Sequence, residues 1–190
     1  NISGFFNIIE NSRINKVKHL IYASTSSVYG NNDKFPLEEE FNTDKPLSFY
    51  AASKKSNEVM AYSFSNIYKL PITVLRFFTV YGEYGRPDMS IYRFTKNILE
   101  NKEILIFNKG NHIRDFTHID IIKDIFSKLI SPTKWDKIFK NSNFEIVNIA
   151  GGSKVKLLKL VQLIEKFCGK KAIKKFVGLQ MGDIKQTEAS

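Results

Sequence analysis

The chain has 190 residues, of which 43% are apolar and 25% charged, and this suits one globular domain with a hydrophobic core. It contains no run of about 18 apolar residues, so a membrane-spanning helix is not expected. Its first residues resemble neither the basic n-region nor the apolar core of a signal peptide. The single cysteine, Cys168, excludes a disulfide framework within the chain and fits a reducing cytoplasm.

The formal net charge of +10 raises the question of a nucleic acid or an anionic lipid surface as partner. The lysines, however, are spread along the chain. The densest group lies in residues 170–175 and has only Phe176 beside it, whereas nucleic-acid sites combine basic residues with several aromatic ones. We therefore predict a solvated strand edge there, with no nucleic-acid and no membrane partner.

Hydrophobic periodicity predicts an alternation of helices and strands. The predicted helices cover residues 1–12, 48–68, 90–101, about 120–129 and 155–167, with Ser153 as the N-cap of the last one. The predicted strands cover residues 17–24, 72–78, 104–107, 113–120 and 144–149, and residues 31–48 and 79–89 are predicted loops.

This alternation indicates an α/β fold with a parallel sheet, in which ligands bind beyond the carboxyl ends of the strands. Two of the predicted strands end in hydroxyl side chains. The strand over 17–24 runs into Thr25, Ser26 and Ser27, and the strand over 72–78 is followed by Thr79. We expect these hydroxyls to meet at one edge of the sheet.

Tyr50 and Lys54 lie at positions i and i+4 of a predicted helix, so their side chains share one face. A lysine ammonium near a phenol favours the phenolate, and a phenol that ionises near neutral pH is a usable general base. A hydroxyl of the Thr25 run could then bind the substrate oxygen that Tyr50 deprotonates. Taken alone, the pair also fits a solvated helix face.

Four stretches of the sequence together resemble the extended short-chain dehydrogenase/reductase family, the nucleotide-sugar epimerases and dehydratases. The third of them is similar to the UDP-glucuronate 4-epimerases of that family, including those associated with capsule or surface polysaccharide synthesis. The stretches are STSSVYG at 24–30, YAASKKSNE at 50–58, LRFFTVYGEYGRPDM at 75–89 and RDFT at 114–117.

The resemblance implies a Rossmann-like parallel sheet that binds NAD, with part of a small C-terminal substrate domain. Residues 1–82 would be the C-terminal part of the NAD-binding domain. Residues 83–190 would mainly bind the nucleotide sugar, with 113–150 returning to the Rossmann core. No Gly-x-Gly-x-x-Gly occurs in the chain, so the family's first strands and glycine-rich turn are expected to be missing.

The resemblance also implies roles. Thr25, Tyr50 and Lys54 would be catalytic in a hydride relay through a 4-keto sugar, and the full-length protein would be a cytoplasmic homodimer. The implied NAD contacts are Asn1, Tyr50, Lys54 and Phe77, with Phe77 or Phe78 walling the nicotinamide. The implied contacts to the UDP-sugar are Ser26, Ser27, Thr79, Arg86, Arg114 and Asp183.

Within that set, Arg114 would bind the diphosphate, and Thr79 with Arg86 would bind a C6 carboxylate, because charge-assisted hydrogen bonds suit that group. The alternative for Arg86 is a loop arginine bound to Asp88 or Glu83. The alternative for Arg114 is a surface arginine paired with Asp115 or Asp120.

The 4,6-dehydratases of the family have carboxylates where this chain has Ser26 and Ser27, so epimerisation at C4 is favoured over elimination of water. The histidines show no ligand spacing, and no metal is predicted. Two alternatives stay open, an inactive truncated fragment and another reductase or epimerase of the same family, whereas a third, a polyanion-binding module, is disfavoured by the spread of the lysines.

Overall fold

The computed structural model describes residues 1–131 and 142–190. Within them the chain forms helices and strands in alternation, as the sequence predicts. The helices are α1 (Ile2–Ile14), α2 (Phe49–Tyr68), α3 (Ser90–Leu99), α4 (Ile119–Leu129) and α5 (Leu157–Cys168). The strands are β1 (Leu20–Thr25), β2 (Ile72–Phe77), β3 (Thr79–Tyr81), β4 (Glu103–Ile106), β5 (Ile113–His118), β6 (Phe144–Ile149), β7 (Lys154–Lys156) and β8 (Ile173–Phe176).

The first sheet has the order β1-β2-β6, and both strand pairs are parallel. Thr25, Phe77 and Ile149 are the last residues of the three strands and lie side by side in register. The carboxyl ends of all three strands therefore meet at one edge. The predicted α/β class with a Rossmann-like parallel sheet is confirmed.

Helices cover both faces of this sheet. On one face, Ile72 and Val74 of β2 pack with Ile9 of α1 and Ala61 of α2. On the other face, Leu75 packs with Ile122 of α4. The three β2 side chains are fully buried, and each contributes about 1.5–3 kcal/mol to stability by leaving water.

Two smaller sheets carry the second half of the chain. Strand β5 pairs in parallel with β3 and antiparallel with β7, and β4 pairs in parallel with β8. A separate core binds α3 and α5 to β4. Its buried residues are Phe94, Ile98, Ile104, Ile106, Leu160, Val161 and Ile164.

The start of α2 is fixed by a cap. The hydroxyl of Ser48 accepts a hydrogen bond of 3.1 Å from the backbone N–H of Ala51, and this satisfies one of the free donors of the first turn. Tyr50 thus lies in the first turn of a helix of 20 residues. Gly30 has a φ of 62°, and a Cβ there would lie 2.4 Å from the carbonyl oxygen of Lys45, so the loop over 31–48 requires a glycine at its first bend.

Two sequence predictions are wrong at the edges of β5. Ser153 does not cap a helix, because residues 154–156 pair with the backbone of β5 and the helix starts only at Leu157. Residues 79–89 are not all loop, because Thr79–Tyr81 pairs with Phe116–His118. In both cases the backbone groups of β5 take partners that local sequence patterns do not reveal.

The lysine-rich segment is a surface strand, as predicted. Every residue of β8 is exposed, and Lys174 and Lys171 contact Glu165 of α5. Cys168 ends α5, half-buried beside the α3–α5 core. None of the described helices combines the length and the apolar character that a bilayer crossing requires.

Candidate active site

A cavity of about 620 Å³ opens at the carboxyl edge of the first sheet. Its walls come from the end of β1, the first turns of α2, the end of β2 and the segment that follows β3. It brings together eight of the site residues predicted from the sequence: Thr25, Ser26, Ser27, Tyr50, Lys54, Phe77, Thr79 and Arg86.

Tyr50 and Lys54 lie one helical turn apart on the wall that α2 forms. The Lys54 ammonium donates a 2.9 Å hydrogen bond to the carbonyl of Ala23 in β1, and burial lowers the pKa of Lys54. Tyr50 is 49% exposed, and its hydroxyl has no hydrogen-bond partner among residues 1–131 and 142–190. The phenol is therefore free to act on a molecule in the cavity.

Thr25 is held in one orientation by the turn that follows it. Its hydroxyl accepts a hydrogen bond of 3.2 Å from the backbone N–H of Ser27 and donates one of 3.2 Å to the Ser27 hydroxyl. Thr25 thus caps the single turn of 3-10 helix at Ser26–Tyr29. The cap aligns three hydroxyls along one wall of the cavity.

A buried ion pair lies beneath these residues. Arg76 of β2 and Glu58 of α2 are each 2% exposed and meet in a two-pronged contact, Nε to Oε1 at 3.0 Å and Nη2 to Oε2 at 2.8 Å. Ser24 of β1 donates to the same carboxylate at 2.6 Å. The pair therefore connects the helix that carries Tyr50 and Lys54 to the two strands that end at the cavity.

Further hydrogen bonds extend this network to the serine turn. Arg76 donates to the hydroxyl of Tyr29 and to the carbonyl of Glu39, both at 3.0 Å. Tyr29 donates in turn to the side chain of Asn148 on β6 at 2.7 Å. Charged groups in an interior need such full pairing, because each unpaired one costs several kcal/mol.

A second cavity, of about 230 Å³, lies beside the first and shares Ser26, Ser27 and Thr79 with it. It contains the two remaining UDP-sugar candidates, Arg114 and Asp183, which are bound to each other at 2.9 Å. Burial lowers the pKa of Arg114, and Asp183 partly offsets this. The partner of Arg114 is thus neither Asp115 nor Asp120, the alternatives suggested by the sequence.

Arg86 lines the larger cavity from the rim. Its side chain is 73% exposed and forms a two-pronged contact with Asp88, with Nε at 3.0 Å from Oδ1. The loop contact that the sequence offered as the alternative for Arg86 is therefore present. The same contact shows that the Arg86 guanidinium can bind a carboxylate with two hydrogen bonds at the rim of the cavity.

Of the predicted NAD contacts, Phe77 lies in the larger cavity and Asn1 lies outside both cavities. Phe77 is half-buried and lines the larger cavity, as Phe78 does, but Phe78 is also part of the core with Val28 and Leu37. Asn1 lines neither of the two cavities, and its side-chain amide donates to the Ser53 hydroxyl at 3.0 Å. Asn1 is thus connected to the site only through α2.

Sequence analysis gave no role to Ser24, Glu58, Arg76 or His112. For Arg76 a signal was present, since an arginine in the middle of a buried apolar strand requires a buried acid opposite it. Nothing in the sequence around Glu58 indicates burial, because its neighbours include lysines, a serine and an asparagine, which are typical of an exposed helix face. His112 is 5% exposed and lies 3.0 Å from Asp183, a contact between distant segments.

Comparisons with known proteins agree with this geometry. Residues 1–151 match the model of the NAD dependent epimerase/dehydratase family. The chain is 46% identical to protein CapI of Staphylococcus aureus and 40% identical to a probable UDP-glucuronate 4-epimerase of Rhizobium meliloti, covering all of this chain and 60% and 59% of those proteins. It superposes with a TM-score of 0.89 on the crystal structure of UDP-glucuronic acid 4-epimerase from Bacillus cereus in complex with UDP-glucuronic acid and NAD, at 35% identity.

That structural match covers all of this chain and 58% of the Bacillus cereus protein. The chain thus spans about 60% of the length of the relatives that it matches. The family match covers four-fifths of the chain and includes the whole first sheet and every residue that lines the larger cavity. The chain belongs to the NAD-dependent epimerase/dehydratase family.

Proposed function

We propose that this chain is part of an NAD-dependent enzyme that inverts C4 of a UDP-hexuronate, interconverting UDP-glucuronate and UDP-galacturonate for capsule or surface polysaccharide synthesis. The observation that carries the proposal is the cavity of about 620 Å³, which combines Thr25, Tyr50 and Lys54 with Thr79 and Arg86. The first three residues suit proton transfer at a sugar hydroxyl, and the last two suit a carboxylate.

The residues present fit the nicotinamide half of NAD. Phe77 offers an aromatic wall, and the Lys54 ammonium uses one of its three N–H donors on Ala23, which leaves two for ribose hydroxyls. When bound, NAD would supply the hydride acceptor and donor that oxidation and reduction at C4 need. No Gly-x-Gly-x-x-Gly occurs in the 190 residues, so the usual cradle for the NAD diphosphate is not part of this chain.

Proton transfer is assigned to Tyr50. Its free hydroxyl would take the proton of the sugar 4-hydroxyl, and the Lys54 ammonium on the same helix face would stabilise the phenolate that does so. The Thr25 hydroxyl would hydrogen-bond O4 and hold it towards Tyr50. The sugar, planar at C4 after oxidation, would turn over and take back the hydride on its other face.

The hydroxyl side chains that follow β1 support epimerisation rather than elimination. Thr25 is followed by Ser26 and Ser27, both in the cavity and both without a carboxylate. Loss of water from C5 and C6 needs an acid and a base placed there. The product should therefore retain every carbon and oxygen atom of the substrate.

The contact between Arg86 and Asp88 supports a carboxylate at C6. A planar guanidinium binds a carboxylate with two parallel hydrogen bonds, and Arg86 already holds that geometry at the cavity rim. The substrate carboxylate would replace Asp88. Thr79, which also lines the smaller cavity, would donate a second hydrogen bond at the point where the two cavities join.

The smaller cavity is the proposed site of the UDP moiety. Arg114 supplies the charge for the diphosphate, and Asp183 would bind the ribose. Ser26, Ser27 and Ser48 surround them with neutral donors. Two joined cavities suit a ligand with an anionic nucleotide at one end and the reacting sugar at the other.

We also propose that the full-length protein, meaning this chain with any sequence that its gene carries on either side, is a homodimer. The charged residues of helices α1 and α2 are Glu10, Arg13, Lys54, Lys55 and Glu58, and each of them is buried or only partly exposed. The exposed apolar side chains include Phe6 on α1 and Val59 and Ile67 on α2. A surface of this kind suits a second copy related by a twofold axis.

Sedimentation velocity tests the dimer. The full-length protein should sediment as a dimer, and Val59→Glu, which places a charge on the shared surface, should shift it to a monomer. A monomer at every concentration would count against this surface.

The division of the chain into residues 1–82 and 83–190 is kept as a proposal, with 113–150 returning to the first domain. It is supported by the pairing of β6 with β2 in the first sheet. A cytoplasmic location is proposed as well, and the single cysteine, which fits a reducing compartment, supports it.

Replacement of the base tests the proposed function. In the full-length protein Tyr50→Phe should lower kcat for UDP-glucuronate by at least about 100-fold, the usual size of a general-base contribution. Thr25→Ala should lower it less, because Ser26 or water can replace part of the hydrogen bond. Near-full activity of Tyr50→Phe would show that the base lies elsewhere.

A further inference from the structure

His112 lies on the far side of Asp183 from Arg114. Its Nε2 is 3.0 Å from Oδ2 of Asp183, while Arg114 binds Oδ1 at 2.9 Å. The imidazole is 5% exposed, and all three side chains line a cavity of about 210 Å³ that also includes Ser90 and Phe107. The Asp183 carboxylate thus contacts both Arg114, which is always charged, and His112, which becomes a cation when it is protonated.

Apart from His112, Arg114 and Asp183, the described residues that line this cavity are apolar or uncharged. The charged groups that act on it are Asp183 and Arg114, and its ring also hydrogen-bonds the backbone of Phe107. Helix α5 contributes only Leu157, whose backbone N–H donates to the carbonyl of His112 at 2.9 Å. Burial is the largest influence and lowers the pKa of His112, so without a ligand the imidazole is neutral near pH 7.

A neutral imidazole has one N–H donor, and it cannot donate to the Phe107 backbone and to Asp183 at once. The imidazolium can do both. In the neutral state Arg114 is therefore the one charged partner of Asp183 among the residues that the structure describes, and the guanidinium is less available to a second anion.

We propose that His112 is a proton-uptake residue of the nucleotide site. When an anionic nucleoside diphosphate binds, His112 takes up a proton from the buffer, and the resulting imidazolium pairs with Asp183. The Arg114 guanidinium is then available to pair with the diphosphate. This inference rests on the proposed function, since it assigns the diphosphate to the cavities around Arg114. It adds a binding residue and a pH dependence that the catalytic set does not require.

Isothermal titration calorimetry of the full-length protein with UDP-glucuronate tests the proposal. The ligand has no group that titrates between about pH 6 and about pH 8, so any proton taken up goes to the protein. In buffers of different ionisation enthalpy, binding near pH 7 should take up roughly half to one proton, and the affinity should rise between about 3-fold and 10-fold for each unit by which the pH falls.

His112→Gln keeps a polar side chain that does not titrate and should remove most of this uptake and of the pH dependence. His118→Gln is the matched control, because His118 ends the strand β5 that begins directly after His112, pairs with Asp120 and lines neither of the two cavities that contain Arg114. It should behave like the unaltered protein.

Binding without proton uptake in the unaltered protein would overturn the proposal, and this outcome does not depend on the folding of any variant. Equal uptake in His112→Gln would overturn it as well. Absence of binding at every pH would overturn the nucleotide site itself, and with it both this inference and the proposed function.

Discussion

Removing Arg76 should destabilise the protein more than removing any surface cation. Arg76→Met deletes a guanidinium that is 2% exposed and leaves Glu58, also 2% exposed, with Ser24 as its one remaining hydrogen-bond donor among the described residues. A buried carboxylate that loses its counter-ion costs about 3–5 kcal/mol. At about 2–4 °C per kcal/mol for a chain of this size, the melting temperature should fall by roughly 6–20 °C.

Urea denaturation of the full-length protein and of Arg76→Met measures this cost. Lys123→Met is the control, because Lys123 forms an ion pair with Asp120 in which both side chains are more than half exposed, and it should leave the free energy of unfolding nearly unchanged. The double variant Arg76→Met with Glu58→Leu should recover much of the loss, since no charge stays buried. If Arg76→Met lowers the free energy of unfolding by less than about 1 kcal/mol, the buried pair of Arg76 and Glu58 does not stabilise the site.

Three further outcomes follow from the structure. Arg86→Met should lower kcat/KM for UDP-glucuronate by roughly 10–100-fold, the usual effect of losing one charged hydrogen bond to a substrate, and should leave UDP-glucose nearly unchanged; equal losses would mean that Arg86 only holds its loop. The hydrogen bond from Lys174 lowers the pKa of Glu165 to about 2. The unfolded carboxyl titrates near 4.5, so the stability that Glu165 adds is present above that pH and disappears as the pH falls to about 2. Denaturation of Glu165→Gln at several pH values should show a deficit that vanishes in the same range, and a deficit independent of pH would contradict this. The 190-residue chain alone should bind NAD poorly, and a micromolar dissociation constant in a fluorescence titration would show that the missing glycine-rich turn is not needed.

Local patterns were sufficient to predict the parts of the site that lie at strand ends. Parallel strands share one carboxyl edge, so the hydroxyls after β1 and Thr79 after β2 had to lie close together. Helical spacing likewise placed Tyr50 and Lys54 on one face. The mutual position of these groups thus follows from the fold class alone.

Contacts between distant segments were not predictable in the same way. Asn148 meets Tyr29 across 119 residues, and no periodicity in either segment indicates the other. The prediction of Ser153 as a helix cap was wrong because residues 154–156 pair with the backbone of β5. This tertiary contact overrides the local preference for a helix. The polar network under the site is made of such contacts, which is why the residues that hold it went unassigned.

Transfer of deuterium tests the proposed reaction most directly. The full-length protein with NAD is given UDP-glucuronate that carries deuterium at C4, and the product is examined by NMR and mass spectrometry. We predict UDP-galacturonate of unchanged mass with the deuterium still at C4 and the configuration there inverted, because the hydride that leaves C4 returns to it. Loss of the label to solvent, or a product lighter by water or carbon dioxide, would contradict a C4 epimerase that works through a 4-keto sugar.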